Sequence, residues 1–164
     1  GPKMKAVRYL AEHLFLVTRD KIAVVVFQGR QAQVAVPFTR NYSRLKAGLK
    51  SLQPQGLTPL ADGILKSIKL IKNRQVRNPL LILITDGIPT TGKWTINPQE
   101  DALQAAEMIK ETRAKLICIG VASNQEFLEE LADKAKGNVY ILDSLDDHAT
   151  LIEIIHRERR TYQY

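Results

Sequence analysis

The sequence predicts an α/β protein with a doubly wound, mostly parallel sheet and helices on both faces. Continuous apolar runs rich in β-branched residues alternate with segments whose apolar residues recur at helical spacing. Short runs of the first kind are typical of strands that are buried on both faces. The 164 residues are enough for one domain with a full core, and they show no repeat and no internal linker. We therefore interpret residues 1–164 as a single domain.

The elements follow in order along the chain. Parallel strands are expected at 21–28, 80–85, 115–121 and 138–142. The alternating run 32–38 contains Pro37, which favours an antiparallel strand at an edge. Helices are expected at 3–19, 42–52, 58–73, 98–113, 124–137 and 146–160. In the third of these, Thr58 is expected to be the N-cap and Pro59 the first helical residue.

The chain opens on a helix, whereas doubly wound sheets usually open on a strand that becomes central. We therefore expect this central first strand to be missing. The gap would lie between strands 21–28 and 80–85, unless another chain bridges it. Unpaired central edges promote association, so a strand-sharing oligomer is one expected consequence.

Composition and charge exclude several classes of function. The formal net charge is +7, but the basic residues are spread out, and Lys66, Lys69 and Lys72 fall at the spacing of a solvated helix face. No aromatic residues interleave with them, so we expect no nucleic-acid partner. The apolar runs are far shorter than the ~20 residues of a membrane span. The single cysteine, Cys118, and the lack of a signal peptide predict a reducing, cytoplasmic location.

The segment "ILITDGIPTTGKW", residues 82–94, ends a buried strand on Asp86. Sheets of this class bind ligands at the carboxyl ends of their strands. The spacing of Gly87, Gly92 and Lys93 also approaches that of a phosphate-binding loop, which makes a nucleotide-binding enzyme an alternative. Against it, Trp94 replaces the required Ser or Thr, and a helix cannot run straight on from the lysine because of Pro98.

The second interpretation of this edge is a metal site, in which oxygen atoms bind a hard cation. Asp86 offers a carboxylate, and "GLTPLADG" offers Thr58 with Asp62 four residues on. Each also has a purely structural explanation, because Thr58 can cap a helix, Asp62 can complement its dipole and Asp86 can form a turn. Trp94 is either an anchor that faces a partner or a residue that packs over its own loop.

No catalytic residues are expected. His13, His148 and His156 lie in or near helices, and no base neighbours Ser123 or Cys118 in sequence.

"LLILITDG", with "GLTPLADGI" upstream, resembles the von Willebrand factor A, or integrin I-like, domain, whose fold is Rossmann-like. "KMKAVRYLAEHL" is similar to its first helix and "DKIAVVVF" to its second strand. Within the family, the chain looks most like the C-terminal domain of the D-type component of magnesium chelatase. The resemblance runs from Lys3 to Arg160.

The resemblance implies a metal-ion-dependent adhesion site. Thr58 matches its threonine and Asp86 its aspartate, while the first motif, D-x-S-x-S, is absent from this chain. This implies an N-terminally truncated domain in which Mg²⁺ binds weakly or not at all.

The resemblance also implies a function. In such domains a partner's acidic residue fills the open position of the magnesium ion. The implied partners are an AAA+ ATPase subunit and the porphyrin-binding subunit of a chelatase, which inserts magnesium into protoporphyrin in tetrapyrrole biosynthesis. Thr58, Lys93 and Trp94 would contact the partner, and the domain would assist that ATP-dependent enzyme without holding its catalytic groups. The alternative within the family is a stand-alone domain that serves another AAA+ ATPase.

Overall fold

The computed structural model describes residues 2–28, 31–52, 58–85 and 87–162. The helices in these ranges are α1 Pro2–Leu16, α2 Tyr42–Lys50, α3 Leu60–Arg74, α4 Pro98–Met108, α5 Gln125–Ala135 and α6 His148–Tyr162. The strands are β1 Ile22–Gln28, β2 Gln31–Thr39, β3 Leu80–Ile84, β4 Lys115–Gly120 and β5 Asn138–Ile141. Short 3₁₀ turns follow α4 and precede α5. The predicted alternation of strands and helices is confirmed.

Strands β3, β4 and β5 form a parallel sheet in that order, with Leu80 opposite Lys115 and Ile117 opposite Asn138. Strands β1 and β2 form a separate antiparallel pair. The antiparallel prediction for 32–38 is therefore confirmed. The parallel pairing expected of 21–28 is not formed, because β1 pairs only with β2 in the described part of the chain.

Helices cover both faces of the parallel sheet, as predicted. Alternate residues of a strand point to opposite faces, and the core follows this alternation. Leu83, Leu116 and Cys118 pack with α3, α4 and α5 on one face. On the other face, Ile84, Ile117 and Ile119 pack with α1 and α6. Burial raises the pKa of the Cys118 thiol to about 12, so this cysteine is an inert core residue.

The expected gap lies between the two sheets. A cleft of about 510 Å³ separates the edge of β1 from the edge of β3, and α1 and α3 contribute much of its wall. Within the described ranges no strand bridges this cleft. The strand-sharing oligomer stays a prediction.

Two helix ends differ from expectation. The N-cap of α3 is Pro59, whose φ of −85° and ψ of 70° are not helical, so the expected cap at Thr58 is wrong by one residue. Helix α5 ends at Ala135, and its C-cap is Lys136 in the left-handed conformation, with φ of 55°, whereas the helix was expected to run to Gly137. Gly137 is still required there, because a Cβ would come within 2.3 Å of the Leu116 carbonyl oxygen. Among the described helices, none combines the length and the hydropathy that crossing a bilayer requires.

Candidate metal and partner-binding site at the carboxyl edge of the sheet

Asn124 ties together the carboxyl ends of β3 and β4. Its buried side-chain amide donates to the carbonyl oxygens of Thr85, at 3.1 Å, and Gly87, at 3.2 Å. Its Oδ1 accepts a hydrogen bond from Val121 N at 3.0 Å. Residues 85 and 87, on either side of position 86, are therefore both fixed to Asn124 in the turn after β4. Asp86 itself lies outside the described residues, so its role as a ligand stays a prediction.

Thr58 lies against the loop that follows β3. Its carbonyl oxygen accepts hydrogen bonds from Thr90 N, at 3.1 Å, and Thr91 N, at 3.4 Å. Its own N–H donates to Thr90 Oγ1 at 2.9 Å. Thr58 is therefore held against the loop that follows β3. The expectation that Thr58 and Asp86 lie close together stays a prediction, because Asp86 is outside the described residues.

The Thr58 hydroxyl has no structural task among the described residues. It does not cap α3, whose N-cap is Pro59 without a side-chain cap bond, and it makes no hydrogen bond within the described ranges. The structural explanation of this threonine as a helix cap is therefore wrong. This half-buried hydroxyl oxygen therefore has no hydrogen-bond partner among the described residues.

Asp62 and Lys93 form an ion pair beside Thr58. Asp62 is buried in the first turn of α3; its Oδ2 accepts from Ala32 N at 2.6 Å, and its Oδ1 lies 3.0 Å from Lys93 Nζ. Burial favours the neutral acid, but the Ala32 N–H and the Lys93 ammonium outweigh it and lower the pKa of Asp62. The Asp62 carboxylate is thus occupied, and Lys93 is held towards α3 instead of extending freely into solvent.

A buried carboxylate organises the loop between β3 and α4. Asp101 Oδ2 accepts N–H bonds from Lys93, Trp94 and Thr95 at 2.7, 2.9 and 2.9 Å, and the Thr95 hydroxyl donates to Oδ1 at 2.8 Å. Burial would raise the pKa of Asp101, but these donors lower it to about 2. Gly92 permits the tight approach, because a Cβ there would lie 2.8 Å from Asp101 Oδ2. The loop is therefore preorganised around one charge.

This geometry is wrong for a phosphate-binding loop. Such a loop aims its backbone N–H groups and its lysine at a phosphate. Here the N–H groups of 93–95 point at the Asp101 carboxylate, whose negative charge would repel a phosphate. Lys93 is paired with Asp62, and α4 begins only at Pro98. The described contacts therefore argue against a nucleotide-binding enzyme that uses Gly87 to Lys93.

The same loop presents large apolar side chains to solvent. Ile88 and Trp94 are each 45% exposed, and Ile96 is fully exposed. Trp94 therefore leaves almost half of its surface open to a partner, and its role as an anchor stays a prediction. Aromatic and aliphatic side chains held on a rigid backbone are typical anchors of protein interfaces. Their place beside Thr58 extends the candidate site into a surface for a protein partner.

Magnesium requires several oxygen ligands in near-octahedral geometry and usually keeps some waters. The Thr58 hydroxyl fits this chemistry, but the Asp62 carboxylate is already paired. No group of three or more His, Cys, Asp or Glu side chains in the described ranges is arranged to hold a metal. The described residues thus supply only part of a magnesium site, and the carboxylate predicted for it, Asp86, lies outside them.

Asn124 and Asp101 are the residues that sequence reasoning missed. Asp101 follows Pro98 by three residues, which indicates only an acidic first turn of a helix. Asn124 opens a predicted helix and indicates only a cap. Neither pattern reveals that the side chain holds a loop.

A family model for the von Willebrand factor type A domain matches residues 3–88, which is more than half of the chain. The magnesium-chelatase 67 kDa subunit of Heliobacterium mobile is 28% identical over 145 residues, covering 79% of this chain and 21% of that protein. This chain therefore spans about a fifth of the length of that chelatase subunit. An uncharacterised protein of Methanocaldococcus jannaschii is 28% identical over 137 residues, and the match covers 77% of this chain and 77% of that protein.

A solved structure supports the same fold. The von Willebrand factor type A protein of Catenulispora acidiphila superposes with a TM-score of 0.72 at 21% identity, covering 96% of this chain and 37% of that chain. Together with the family match, the split sheet and the edge built around Thr58, this comparison identifies the fold. The chain belongs to the von Willebrand factor type A domain family.

Proposed function

We propose that this domain binds a protein partner at the carboxyl edge of its parallel sheet, through a magnesium ion held with the help of Thr58 and Asp86. The observation that carries the proposal is the Thr58 hydroxyl. Hydrogen bonds to Thr90 and Thr91 hold the Thr58 backbone, whereas the Thr58 hydroxyl neither caps α3 nor bonds to any of the described residues.

A magnesium ion at this edge would supply a positive charge with a coordination position for an acidic side chain of the partner. The residues of this chain have separate tasks. Thr58 offers an oxygen, Asp86 offers the carboxylate that balances the charge, and Asn124 holds the backbone at Thr85 and Gly87, on either side of Asp86. With one hydroxyl and one carboxylate we expect weak magnesium binding by this chain alone.

The neighbouring loop adds contacts that do not need the metal. Trp94 is half exposed on a backbone that Asp101 holds rigid, so little conformational entropy is lost when a partner covers it. Lys93 lies beside it and is more than two fifths exposed despite its bond to Asp62. We assign Trp94 as an apolar anchor and Lys93 as a weaker, flanking contact.

The partner we propose is the AAA+ ATPase subunit of a magnesium-chelatase-like complex that also contains a porphyrin-binding subunit. The similarity to a magnesium-chelatase subunit supports this assignment. The domain would then act as a non-catalytic platform in an ATP-dependent insertion of magnesium into protoporphyrin. A stand-alone domain serving another AAA+ ATPase is the second candidate. The similarity to the Methanocaldococcus jannaschii protein, which is covered over most of its length, favours it.

The test measures binding of a chelatase AAA+ subunit to the unmutated chain by titration calorimetry, once in excess Mg²⁺ and once in EDTA. We expect EDTA, Thr58→Ala and Asp86→Ala each to weaken binding at least tenfold. Thr91→Ala is the matched control, because its bond to Thr58 uses the backbone N–H. The free energy of unfolding of Thr58→Ala should lie within about 0.5 kcal/mol of that of the unmutated chain, because no helix cap is lost.

If Asp86→Ala binds as tightly as the unmutated chain, in EDTA as in Mg²⁺, the metal-bridged mechanism is refuted. The basic surface from Lys66 to Arg77 then becomes the better candidate. Loss of binding in Trp94→Ala alone, with no effect of EDTA, would assign the interface to the loop and not to the ion.

A further inference from the structure

All three histidines of the chain lie in the seam between α1 and α6. The His13 and His156 rings meet edge to face, with an interplanar angle of 86°. Tyr9 stacks on His148 with ring centroids 4.6 Å apart. None of these residues takes part in the edge around Thr58, so the seam calls for a separate explanation.

The Nε2 atoms of His13 and His156 are 2.9 Å apart, although the residues are 143 positions apart in sequence. Only one proton fits between the two nitrogens, so one neutral ring donates and the other accepts. Burial and the neighbouring His156 both lower the pKa of His13. The neutral form is the one that metals bind, because its nitrogen lone pair is then available.

The spacing of the two nitrogens suits a metal ion. Two ligands that meet an ion at a right angle with bonds of about 2.05 Å are themselves about 2.9 Å apart. A tetrahedral angle would need about 3.3 Å. A right angle between two nitrogen ligands is typical of the tetragonal sites of Cu²⁺ and Ni²⁺. His13 also lies in the last turn of α1, where the helix dipole favours a cation.

We propose that His13 and His156 chelate a divalent transition-metal ion of the Cu²⁺ or Ni²⁺ type and thereby clamp the first described helix to the last. Water completes the coordination, because no third His, Cys, Asp or Glu in the described ranges is placed to join them. Binding needs no redox step. The ring that donates its Nε2 proton moves that proton to Nδ1, which frees both Nε2 lone pairs for the ion.

His148 is the natural control. It lies eight residues before His156 on α6, about 12 Å along the helix, and is too far away to share an ion. His148→Ala therefore removes one histidine from the same seam and leaves the pair intact. His13→Ala and His156→Ala each remove one of the two ligands.

The test is titration calorimetry of the tag-free chain with Cu²⁺, Ni²⁺, Zn²⁺ and Mg²⁺, with thermal unfolding in parallel. We expect one Cu²⁺, Ni²⁺ or Zn²⁺ ion per chain at the histidine pair, with affinity falling in that order, and no Mg²⁺ binding that depends on His13 or His156. At ~100-fold excess over Kd the melting temperature should rise by several degrees. His13→Ala and His156→Ala should each lose at least tenfold in affinity, and His148→Ala should match the unmutated chain.

A spectroscopic measurement keeps the proposal testable if an alanine variant fails to fold. The electron paramagnetic resonance spectrum of the Cu²⁺-loaded, unmutated chain should show hyperfine coupling to two imidazole nitrogens. One nitrogen or none would overturn the proposal. So would equal affinity in His13→Ala, an equal loss in His148→Ala, or no binding of Cu²⁺ and Ni²⁺ by the unmutated chain.

Discussion

Lys93 Nζ lies 3.0 Å from Asp62 Oδ1, and this ion pair joins the loop after β3 to the first turn of α3. The two residues are 31 positions apart in sequence, on the two segments that form the edge around Thr58. The Asp62 side chain is almost buried, whereas that of Lys93 is 43% exposed. The pair therefore orients the loop more than it stabilises the fold.

Lys93→Met should destabilise the domain by about 0.5–1 kcal/mol at neutral pH, because a partly exposed ion pair is screened by solvent. The pKa of Asp62 is lower in the folded than in the unfolded chain, where it is about 3.9. The ion pair therefore adds to the free energy of unfolding above that pH, and this contribution is lost as the pH falls through the folded-state pKa. The difference between the variant and the parent should therefore shrink in acid. Urea unfolding across this pH range measures the difference in stability. The control is Lys69→Met, which removes an ammonium from α3, the helix that carries Asp62. A difference that grows in acid would contradict the assignment.

Asp101→Asn should cost about 2–4 kcal/mol, because an amide cannot accept all of the bonds that the carboxylate receives, and one of its ends is itself a donor. The folded-state pKa of Asp101 is about 2. Its stabilising effect should thus be complete above about pH 4 and vanish between about pH 4 and 2. Equilibrium unfolding at a series of pH values checks this, with Glu100→Gln as the exposed neighbour. Equal pH profiles for Asp101→Asn and the parent would count against the role of the carboxylate.

Gly120 and Gly87 form a matched pair for alanine substitution. A Cβ on Gly120 would come within 2.3 Å of Leu128 Cδ1 and 2.6 Å of Asn124 Oδ1, whereas a Cβ on Gly87 meets nothing within 4 Å. Gly120→Ala should cost about 1–3 kcal/mol through overpacking. Gly87→Ala should stay within about 0.5–1 kcal/mol of the parent or stabilise slightly. Thermal unfolding of the two variants measures this difference. Equal losses of stability would contradict the tight packing around Gly120.

Asn124→Ala should leave the buried Thr85 carbonyl and the Val121 N–H without their partner, at a cost of about 2–3 kcal/mol. The turn at 85–87 should loosen, which limited proteolysis with thermolysin before Ile88 would detect. Gln125→Ala, the exposed neighbour, should change stability by less than about 0.5 kcal/mol. If thermolysin cuts both variants at the parent's rate, Asn124 does not hold this turn.

Much of the fold could be predicted because its determinants are local in sequence. Apolar runs such as 80–85 gave their strands within a residue or two, and the missing opening strand predicted the split between the sheets. The topology placed the segment after β3 at the carboxyl edge of the sheet, whereas Thr58 was assigned to this edge from the family resemblance. The cap of α3 was misplaced because Pro59 adopts a non-helical ψ, which composition does not reveal.

The details of the edge could not be predicted because they depend on contacts distant in sequence. Asn124 reaches Thr85 across 39 residues, and Asp62 reaches Lys93 across 31. In each case the sequence shows a residue with an ordinary local explanation, a cap or a first-turn acid. Only the tertiary structure shows which side chain supports which loop.

The seam between α1 and α6 also has a consequence for the order in which the domain opens. The contact between His13 of α1 and His156 of α6 spans 143 residues, and the ion pair between Asp20, just after α1, and Arg159 spans 139, whereas β3, β4 and β5 pair over much shorter separations. Contacts that close the longest loops carry the largest entropic penalty. Helix α1 should therefore detach as a sub-global unit while the parallel sheet stays intact. In native-state hydrogen exchange, the amides of α1 would then lose protection before those of β4.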